Sequence, residues 1–226
     1  MHEEKEARAA VLAAAKGMLE HRLTSGTSGN VSARLDAGTI VITPSGLPYA
    51  DMGPGDLVVI TMAGEPVSPD AVSPPTGGLA PSSEYQLHTA CYQAFPEIEA
   101  VLHSHPPYAS MFAAAREPVP AVIDEAVIFL GGEIPVAAYA ISGSAQVGTN
   151  AVAVLASRAS ALVASHGLVT VAATPAQALH HAVVSEHCAQ VAWGTRALGG
   201  HVPLPEATLE SFGEAYRRGR AQPPPP

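Results

Sequence analysis

The sequence predicts an α/β fold of the α+β kind, in which a central mixed, mostly antiparallel sheet is sandwiched by helices. Helix-like and strand-like segments alternate along the 226 residues, and tight turns join the first strands to one another. Such turns connect antiparallel neighbours, whereas parallel neighbours require long crossover connections. No internal repeat or linker divides the chain. We therefore expect a single domain over residues 1–219, followed by a Pro-rich, disordered tail at 220–226.

Local patterns justify each element in turn. An Ala-rich start with few helix breakers predicts the first helix, and alternation of apolar and polar residues around Ala37-Gly38 predicts a hairpin. Pro81 and Pro175 are start signals for two further helices. The Pro-, Gly- and Ser-rich segment 64–81 is interpreted as an exposed loop. We predict helices over 3–21, 82–95, 107–116, 144–157, 175–198 and 206–218, and strands over 31–36, 39–43, 57–62, 98–103, 133–139, 161–165 and 168–173.

Composition narrows the range of partners and compartments. The net charge of -9 argues against a nucleic acid or an anionic membrane as partner, because both select clustered Lys and Arg. Cys91 and Cys188 provide no disulfide framework, and buried free thiols indicate a reducing cytoplasm. We expect no signal peptide, because the first residues lack a basic start followed by an apolar stretch. We expect no membrane span, because no run of about 18 apolar residues occurs.

Lysine is nearly absent, which disfavours both catalysis through a lysine Schiff base and phosphate binding by a P-loop. Lys5 and Lys16 are the only lysines, and both fall in the first predicted helix. A Schiff-base enzyme requires a desolvated lysine in its pocket, and a phosphate-binding P-loop requires a lysine after its glycines. Covalent amine catalysis is therefore disfavoured, and we expect a metal to supply the electrophilic chemistry.

Two strand ends carry the strongest chemical signal. His103 and His105 lie two residues apart, so alternation puts both on the same side of a strand, which Pro106 then ends. An isolated pair of this kind is more often two unrelated histidines. His166 closes another apolar strand directly before a glycine, and this third histidine favours a shared ion. Three neutral imidazoles beside an open position are typical of a catalytic zinc site.

Small hydroxyl residues and glycines mark several loops and one helix start. They expose backbone N–H groups, which suit a phosphate dianion. Each segment is weak evidence alone, because a Gly-Asn pair is usually a turn and serines before a helix usually cap it. Beside a zinc site they predict a phosphate pocket. The candidate residues are Gly29, Asn30, Ser45, Gly46, Ser82 and Ser83.

Glu84 follows the two serines and has two interpretations. As a helix-start acid it would complement the helix dipole. As a general base it would remove the carbon-bound proton beside a metal-bound ketone, provided that burial tunes its pKa towards neutrality. His88 lies one helical turn further on. We favour a packing role for His88, with entry into the pocket as the alternative.

Taken together, these motifs resemble the class II aldolase/adducin family. The resemblance covers residues from about 8 to 200, and the motifs occur in family order. The matching segments are Gly26-Thr-Ser-Gly-Asn-Val-Ser32, Thr43-Pro-Ser-Gly46, Pro81-Ser-Ser-Glu84, His103-Ser-His-Pro106, Ala138-Tyr-Ala140 and His166-Gly167.

The resemblance implies a role for each candidate residue. It makes the three histidines the ligands of one Zn²⁺ per subunit, the small residues a cradle for the substrate phosphate, and Glu84 the acid/base residue. Tyr139 corresponds to a tyrosine that crosses the subunit interface and protonates the aldehyde-derived oxygen, and Tyr216 falls near a C-terminal tyrosine of the family. The implied assembly is a cytoplasmic homotetramer with sites between subunits, acting on a small sugar phosphate.

The implied reaction is zinc-dependent aldol cleavage of a ketose 1-phosphate, such as L-fuculose 1-phosphate, to dihydroxyacetone phosphate and an aldehyde. A decarboxylase of a phosphorylated keto acid is an alternative. So is a sugar-phosphate 4-epimerase, although such relatives carry Asp where this chain has Glu84. A non-catalytic adducin-like scaffold is disfavoured, because all three histidines are present. Ser165, where many relatives have Asn or His, and the residues after Tyr139 depart from the family pattern and leave the aldehyde portion open.

Overall fold

A computed structural model describes residues 2–67 and 78–220 of the chain. The helices of this part are α1 His2–Glu20, α2 Tyr85–Ala94, α3 Pro107–Ala115, α4 Asp124–Leu130, α5 Ala145–Leu155, α6 Pro175–Ala197 and α7 Glu206–Arg220. The strands are β1 Asn30–Arg34, β2 Thr39–Ile42, β3 Val58–Thr61, β4 Ala100–Ser104, β5 Val136–Ala137, β6 Ser160–Val163 and β7 Gly167–Ala172.

All seven strands join one sheet in the order β3-β2-β1-β4-β7-β6-β5. Among the described strands, β5 and β6 form a parallel pair and every other neighbouring pair is antiparallel. The β1–β2 turn is closed by Asp36, whose Oδ1 accepts hydrogen bonds from the backbone N–H groups of Gly38 and Thr39. The predicted mixed, mostly antiparallel sheet is confirmed.

Strand β4 lies in the middle of the sheet and shows how its two faces are covered. Ala100 and Leu102 belong to the core formed with α1, α3, α4 and α6, whereas Val101 belongs to the core formed with α2 and α5. Alternation along a strand therefore places His103 on the same face as Val101. The candidate histidine thus faces the side of the sheet on which Glu84 begins α2.

The elements differ from the sequence prediction in three places. The expected strand 133–139 is reduced to Val136–Ala137, and α2 begins at Tyr85 because the preceding residues form a turn closed by a Tyr85 N to Ser82 O bond of 3.1 Å. Helix α4 was not predicted, since its seven residues are too few for a periodic pattern to stand out. The loop prediction falls largely on 68–77 and the tail prediction on 221–226, outside the described residues.

Two expectations from composition concern the state of the two cysteines and membrane-spanning helices. Cys91 and Cys188 are buried free thiols, as predicted. None of the described helices is both long and apolar enough to cross a membrane.

Candidate metal centre

Neighbouring strands bring the three histidines to one point. His103 lies in β4, His105 directly after it, and His166 in the turn between β6 and β7. Because β4 pairs with β7, with Ser104 opposite Leu168, this turn meets the end of β4. The ring centroids form a nearly equilateral triangle with sides of 4.8, 4.6 and 4.8 Å.

Glu84 completes the cluster from the start of α2. Its Oε2 lies 3.2 Å from Nε2 of His103, and its Oε1 lies 3.3 Å from Nε2 of His166. One ligand atom from each of these three residues and from His105 lies within 4.8 Å of the others. A carboxylate and three imidazoles in this space form a donor set suited to a divalent cation.

The ring of His103 is oriented by a backbone contact. Its Nδ1 donates to the Leu168 carbonyl oxygen at 2.9 Å, because a carbonyl oxygen only accepts. In the neutral ring this leaves a lone pair on Nε2, which faces Nε2 of His105 at 2.9 Å. A carbonyl acceptor behind a ligating histidine is the usual way in which a metal site fixes the tautomer. This tautomer therefore leaves Nε2 of His103 available as a metal ligand.

Two glycines permit this close approach of strand ends. A Cβ on Gly167 would lie 2.4 Å from the Ser104 carbonyl oxygen and 2.8 Å from Cδ2 of His105. A Cβ on Gly29 would lie 2.7 Å from the His103 carbonyl oxygen, and Gly29 also has a φ of +81°, which a side chain disfavours. Both glycines belong to the motifs described above, and here each has a steric reason.

The site disfavours the protonated forms of His105 and His166 and favours the ionised form of Glu84. Burial, with the neighbouring His103 and His166, lowers the pKa of His105 to about 4. Burial and the nearby His103 also lower the pKa of His166. For Glu84, burial raises the pKa, but the contacts with His103, His166 and the Asn30 amide outweigh it and hold the pKa below its usual range. The expected tuning of Glu84 towards neutrality is therefore not met, and the carboxylate is present in its basic form.

The candidate phosphate residues lie in two groups beside this cluster. An isolated antiparallel bridge pairs Pro44 with Pro81, and bonds from Ser45 N to Ala80 O (2.9 Å) and from Ser82 N to Thr43 O (3.0 Å) hold these segments together. In this register Ser45 lies opposite Ala80 and Thr43 lies opposite Ser82, and Ser45, Gly46 and Ser83 are exposed. The hydroxyl of Ser82 accepts from the backbone N–H of Glu84 at 3.3 Å.

Gly29 and Asn30 form the second group, at the start of β1, where Asn30 is paired with His103. The Asn30 side chain is 3% exposed, and its amide nitrogen donates to Glu84 Oε2 at 3.0 Å. Its carboxamide therefore already serves the carboxylate.

The two tyrosines lie in different surroundings. Tyr139 is 54% exposed in the segment after β5, with the Arg116 guanidinium 5.6 Å from its ring centroid. Tyr216, on α7, lines a cavity of about 480 Å³ together with Phe129 and Phe212.

Sequence analysis did not identify Ser142, whose hydroxyl donates to Glu84 Oε1 at 2.9 Å. Fifty-eight positions separate the two residues, so no local pattern connects them.

The family model described as "Class II Aldolase and Adducin N-terminal domain" matches residues 9–193. The chain belongs to this family. A 5-deoxy-D-ribulose 1-phosphate aldolase of Bacillus thuringiensis serovar kurstaki is 32% identical, with 92% of this chain and 94% of the relative covered. An L-ribulose-5-phosphate 4-epimerase of Salmonella paratyphi C is 31% identical over 78% of this chain and 79% of its own.

The solved structure of an L-fuculose 1-phosphate aldolase superposes with a TM-score of 0.85 at 30% identity, covering 94% of this chain and 96% of its own. The predicted fold and the resemblance to the family are confirmed, as is the prediction of a metal-dependent class II aldolase enzyme.

Proposed function

We propose that this class II aldolase cleaves a ketose 1-phosphate to dihydroxyacetone phosphate and an aldehyde. The observation that carries the proposal is the position of the ionised Glu84 carboxylate, within 3.3 Å of two imidazole nitrogens that could hold a metal. A base beside a Lewis acid is the pairing needed to remove a proton next to a ketone. A 5-deoxypentulose 1-phosphate and L-fuculose 1-phosphate share the three carbons on which this chemistry acts.

We propose that His103, His105 and His166 hold one Zn²⁺ per subunit. Three neutral imidazoles are a common catalytic zinc set, and they leave coordination positions for substrate oxygens. Zinc bound there polarises a carbonyl group and stabilises the negative charge that develops on its oxygen.

In the condensation direction, the Glu84 carboxylate takes a proton from the hydroxymethyl carbon of dihydroxyacetone phosphate. That carbon then bonds to the aldehyde carbon, and the Tyr139 hydroxyl donates a proton to the former aldehyde oxygen. Cleavage reverses both transfers: the Tyr139 phenolate accepts the hydroxyl proton as the carbon–carbon bond breaks, and protonated Glu84 returns its proton to carbon. Proton exchange with solvent sets these two ionisation states before cleavage and restores them afterwards. We propose that the protein is a cytoplasmic homotetramer in which Tyr139 acts in the site of a neighbouring subunit. The half-exposed side chain of Tyr139 supports this placement.

The phosphate group is proposed to bind at Gly29, Asn30, Ser45, Gly46, Ser82 and Ser83. The bridge between Pro44 and Pro81 supports this proposal, because it brings two of the three segments side by side. Neutral N–H and O–H donors suit a dianion in a chain whose net charge is -9.

A sugar-phosphate 4-epimerase is the second candidate, favoured by the similarity to the Salmonella epimerase. It would use the same bond cleavage and rejoin the fragments with inverted stereochemistry.

The test is product identification with zinc-loaded protein and four substrates: 5-deoxy-D-ribulose 1-phosphate, L-fuculose 1-phosphate, L-ribulose 5-phosphate and a phosphorylated 3-keto acid. We expect dihydroxyacetone phosphate from at least one ketose 1-phosphate. Epimerised pentulose 5-phosphate without free triose phosphate would instead establish the second candidate, and carbon dioxide from a phosphorylated keto acid would establish a decarboxylase.

The ligand assignment has its own test, by elemental analysis of the purified protein. We expect His103→Ala to lose the metal. His181→Ala is the matched control, since His181 is also buried but lies on α6 with its Nδ1 on the Val171 carbonyl. Full metal content in His103→Ala would contradict the assignment.

A further inference from the structure

A buried row of polar side chains lies between β1 and α2 and ends at Asn30 and Glu84, and the reaction proposed above gives no role to its other members. Glu84, His88 and Tyr92 are spaced four residues apart, so they share one face of α2. Asn30 and Ser32 are spaced two apart, so they share one face of β1. The two sets interleave between the helix and the sheet.

Every neighbouring pair in the row is within hydrogen-bonding distance. Tyr92 OH lies 2.8 Å from Ser32 Oγ, which lies 2.6 Å from Nδ1 of His88. Nε2 of His88 lies 2.5 Å from Oδ1 of Asn30, whose Nδ2 lies 3.0 Å from Glu84 Oε2. Ser32 and His88 are fully buried, and Tyr92 is 2% exposed.

The direction of every hydrogen bond in the row follows from the bond between Asn30 and Glu84. The Asn30 amide directs its Nδ2 towards Glu84 Oε2 and its carbonyl oxygen towards Nε2 of His88, so the NH₂ group donates to the carboxylate and the carbonyl oxygen accepts. His88 Nε2 must then donate, which leaves Nδ1 as the acceptor in the neutral ring.

The hydroxyl of Ser32 must therefore donate to His88, and it accepts in turn from Tyr92. Burial lowers the pKa of His88 to about 3 and raises that of Tyr92, so the ring stays neutral and the phenol keeps its proton. Every donor in the row points towards Glu84.

We propose that His88 is a positioning residue for the acid/base carboxylate, which it serves by holding the Asn30 amide in the orientation that donates to Glu84 Oε2. Ser142 donates to the other oxygen, Oε1, so the carboxylate is held from two sides. Fixing both oxygens directs the carboxylate at one point next to the metal cluster. The inference rests on the proposed role of Glu84.

Two substitutions separate positioning from packing. In His88→Gln, one carboxamide carries a donor and an acceptor at nearly the spacing of the two ring nitrogens, so both bonds of the row are retained. His88→Leu keeps a buried side chain of similar size and removes both bonds. His181→Leu is the control for losing a buried histidine elsewhere, on α6, where Nδ1 contacts the Val171 carbonyl.

The readout is the exchange of the hydroxymethyl proton of dihydroxyacetone phosphate in deuterium oxide, with zinc-loaded protein and no aldehyde. This assay isolates the proton transfer assigned to Glu84. Loss of a partner that directly contacts a ligand costs about 10–100-fold, and because His88 acts through Asn30 we expect His88→Leu to lower the maximal exchange rate by about 10-fold, the lower end of that range. We expect an unchanged KM and metal content, and near wild-type rates in His88→Gln and His181→Leu.

The pH profile gives a second signature. In His88→Leu the Asn30 amide is held less firmly and stabilises the carboxylate less, so the acidic limb of the exchange profile should move to higher pH and return in His88→Gln. A packing role would move neither limb. If His88→Leu does not fold, Ser32→Ala tests the same row by removing one donor, with a smaller loss of rate at constant KM.

Unchanged exchange and pH profile in a folded His88→Leu, or in Ser32→Ala, would overturn the inference while leaving the proposed function intact. Absence of exchange in the wild-type protein would overturn the proposed function and, with it, this inference.

Discussion

Gly167→Ala tests whether the close approach of β4 and β7 builds the metal centre. The added Cβ would lie 2.4 Å from the Ser104 carbonyl oxygen, 2.8 Å from Cδ2 of His105 and 3.4 Å from Cε1 of His103. An ordinary carbon–oxygen contact is about 3.3 Å or longer. The strand end that carries both histidines must therefore retreat by roughly 0.9 Å from the His166 turn.

A displacement of this size has two separable consequences. Misplacement of reacting groups by about 1 Å can lower turnover roughly 10²-fold. Overpacking a close-packed strand end also destabilises the fold by about 1–3 kcal/mol. We therefore expect kcat/KM for cleavage to fall about 100-fold and the metal to dissociate more readily, with only a moderate decrease in the free energy of unfolding.

The matched control is Gly194→Ala, because a Cβ at Gly194, in α6, meets no atom within 4 Å. Alanine in an open helix position stabilises by roughly 0.5–1 kcal/mol relative to glycine, so this variant should be fully active and slightly more stable. The assays are steady-state kinetics, elemental analysis after dialysis and urea denaturation. Wild-type kcat/KM together with wild-type metal retention in Gly167→Ala would refute the steric reasoning.

Three further predictions concern the proton transfers and the buried row. Glu84→Gln should lower cleavage by about 10²–10⁴-fold, and wild-type turnover in that variant would remove the acid/base assignment. Tyr139→Phe should slow cleavage but leave proton exchange of dihydroxyacetone phosphate intact, because Tyr139 serves the aldehyde oxygen; an equal loss in both assays would contradict this. In the folded protein the pKa of His88 is about 3, whereas in the unfolded chain it returns to its ordinary value of 6.5. Below pH 6.5 the unfolded state therefore binds a proton that the folded state does not, so the free energy of unfolding falls as the pH drops from 6.5 towards about 3. This loss approaches about 1.4 kcal/mol per pH unit. Urea denaturation of chelator-treated protein should therefore show a free energy of unfolding that falls more steeply with decreasing pH in wild type than in His88→Gln. Parallel curves for the two proteins would contradict this prediction.

The three histidines stood out in the sequence because they mark the ends of two predicted strands. Alternation placed His103 and His105 on one face, and the apolar run before His166 placed it at another strand end. That these ends meet depends on the pairing of β4 with β7, a long-range register that no local pattern contains. The prediction therefore needed the third histidine, and the family resemblance, to connect the strands.

The low pKa of Glu84 could not be predicted from the residues next to it in the sequence. Burial alone raises the pKa of a carboxyl group, and that was the basis of the sequence expectation. The opposite outcome arises from partners distant in sequence: Asn30 and Ser142 donate to Glu84 across 54 and 58 positions, and the histidines adjoin it. Electrostatic character of this kind is a property of the assembled site.

His88 shows why packing and positioning are not exclusive interpretations of a buried polar residue. A polar row between a helix and a sheet contributes little net stability, because each hydrogen bond mainly offsets the cost of burying its partners. An apolar row of similar volume would be neutral or stabilising, so stability alone does not account for a serine, a histidine and a tyrosine at these positions. What an apolar row lacks is a donor for the Asn30 carbonyl oxygen. Without that donor only the carboxylate itself orients the amide, the Asn30 carbonyl oxygen loses its contact with His88, and the direction of the carboxylate at the metal cluster is less firmly fixed.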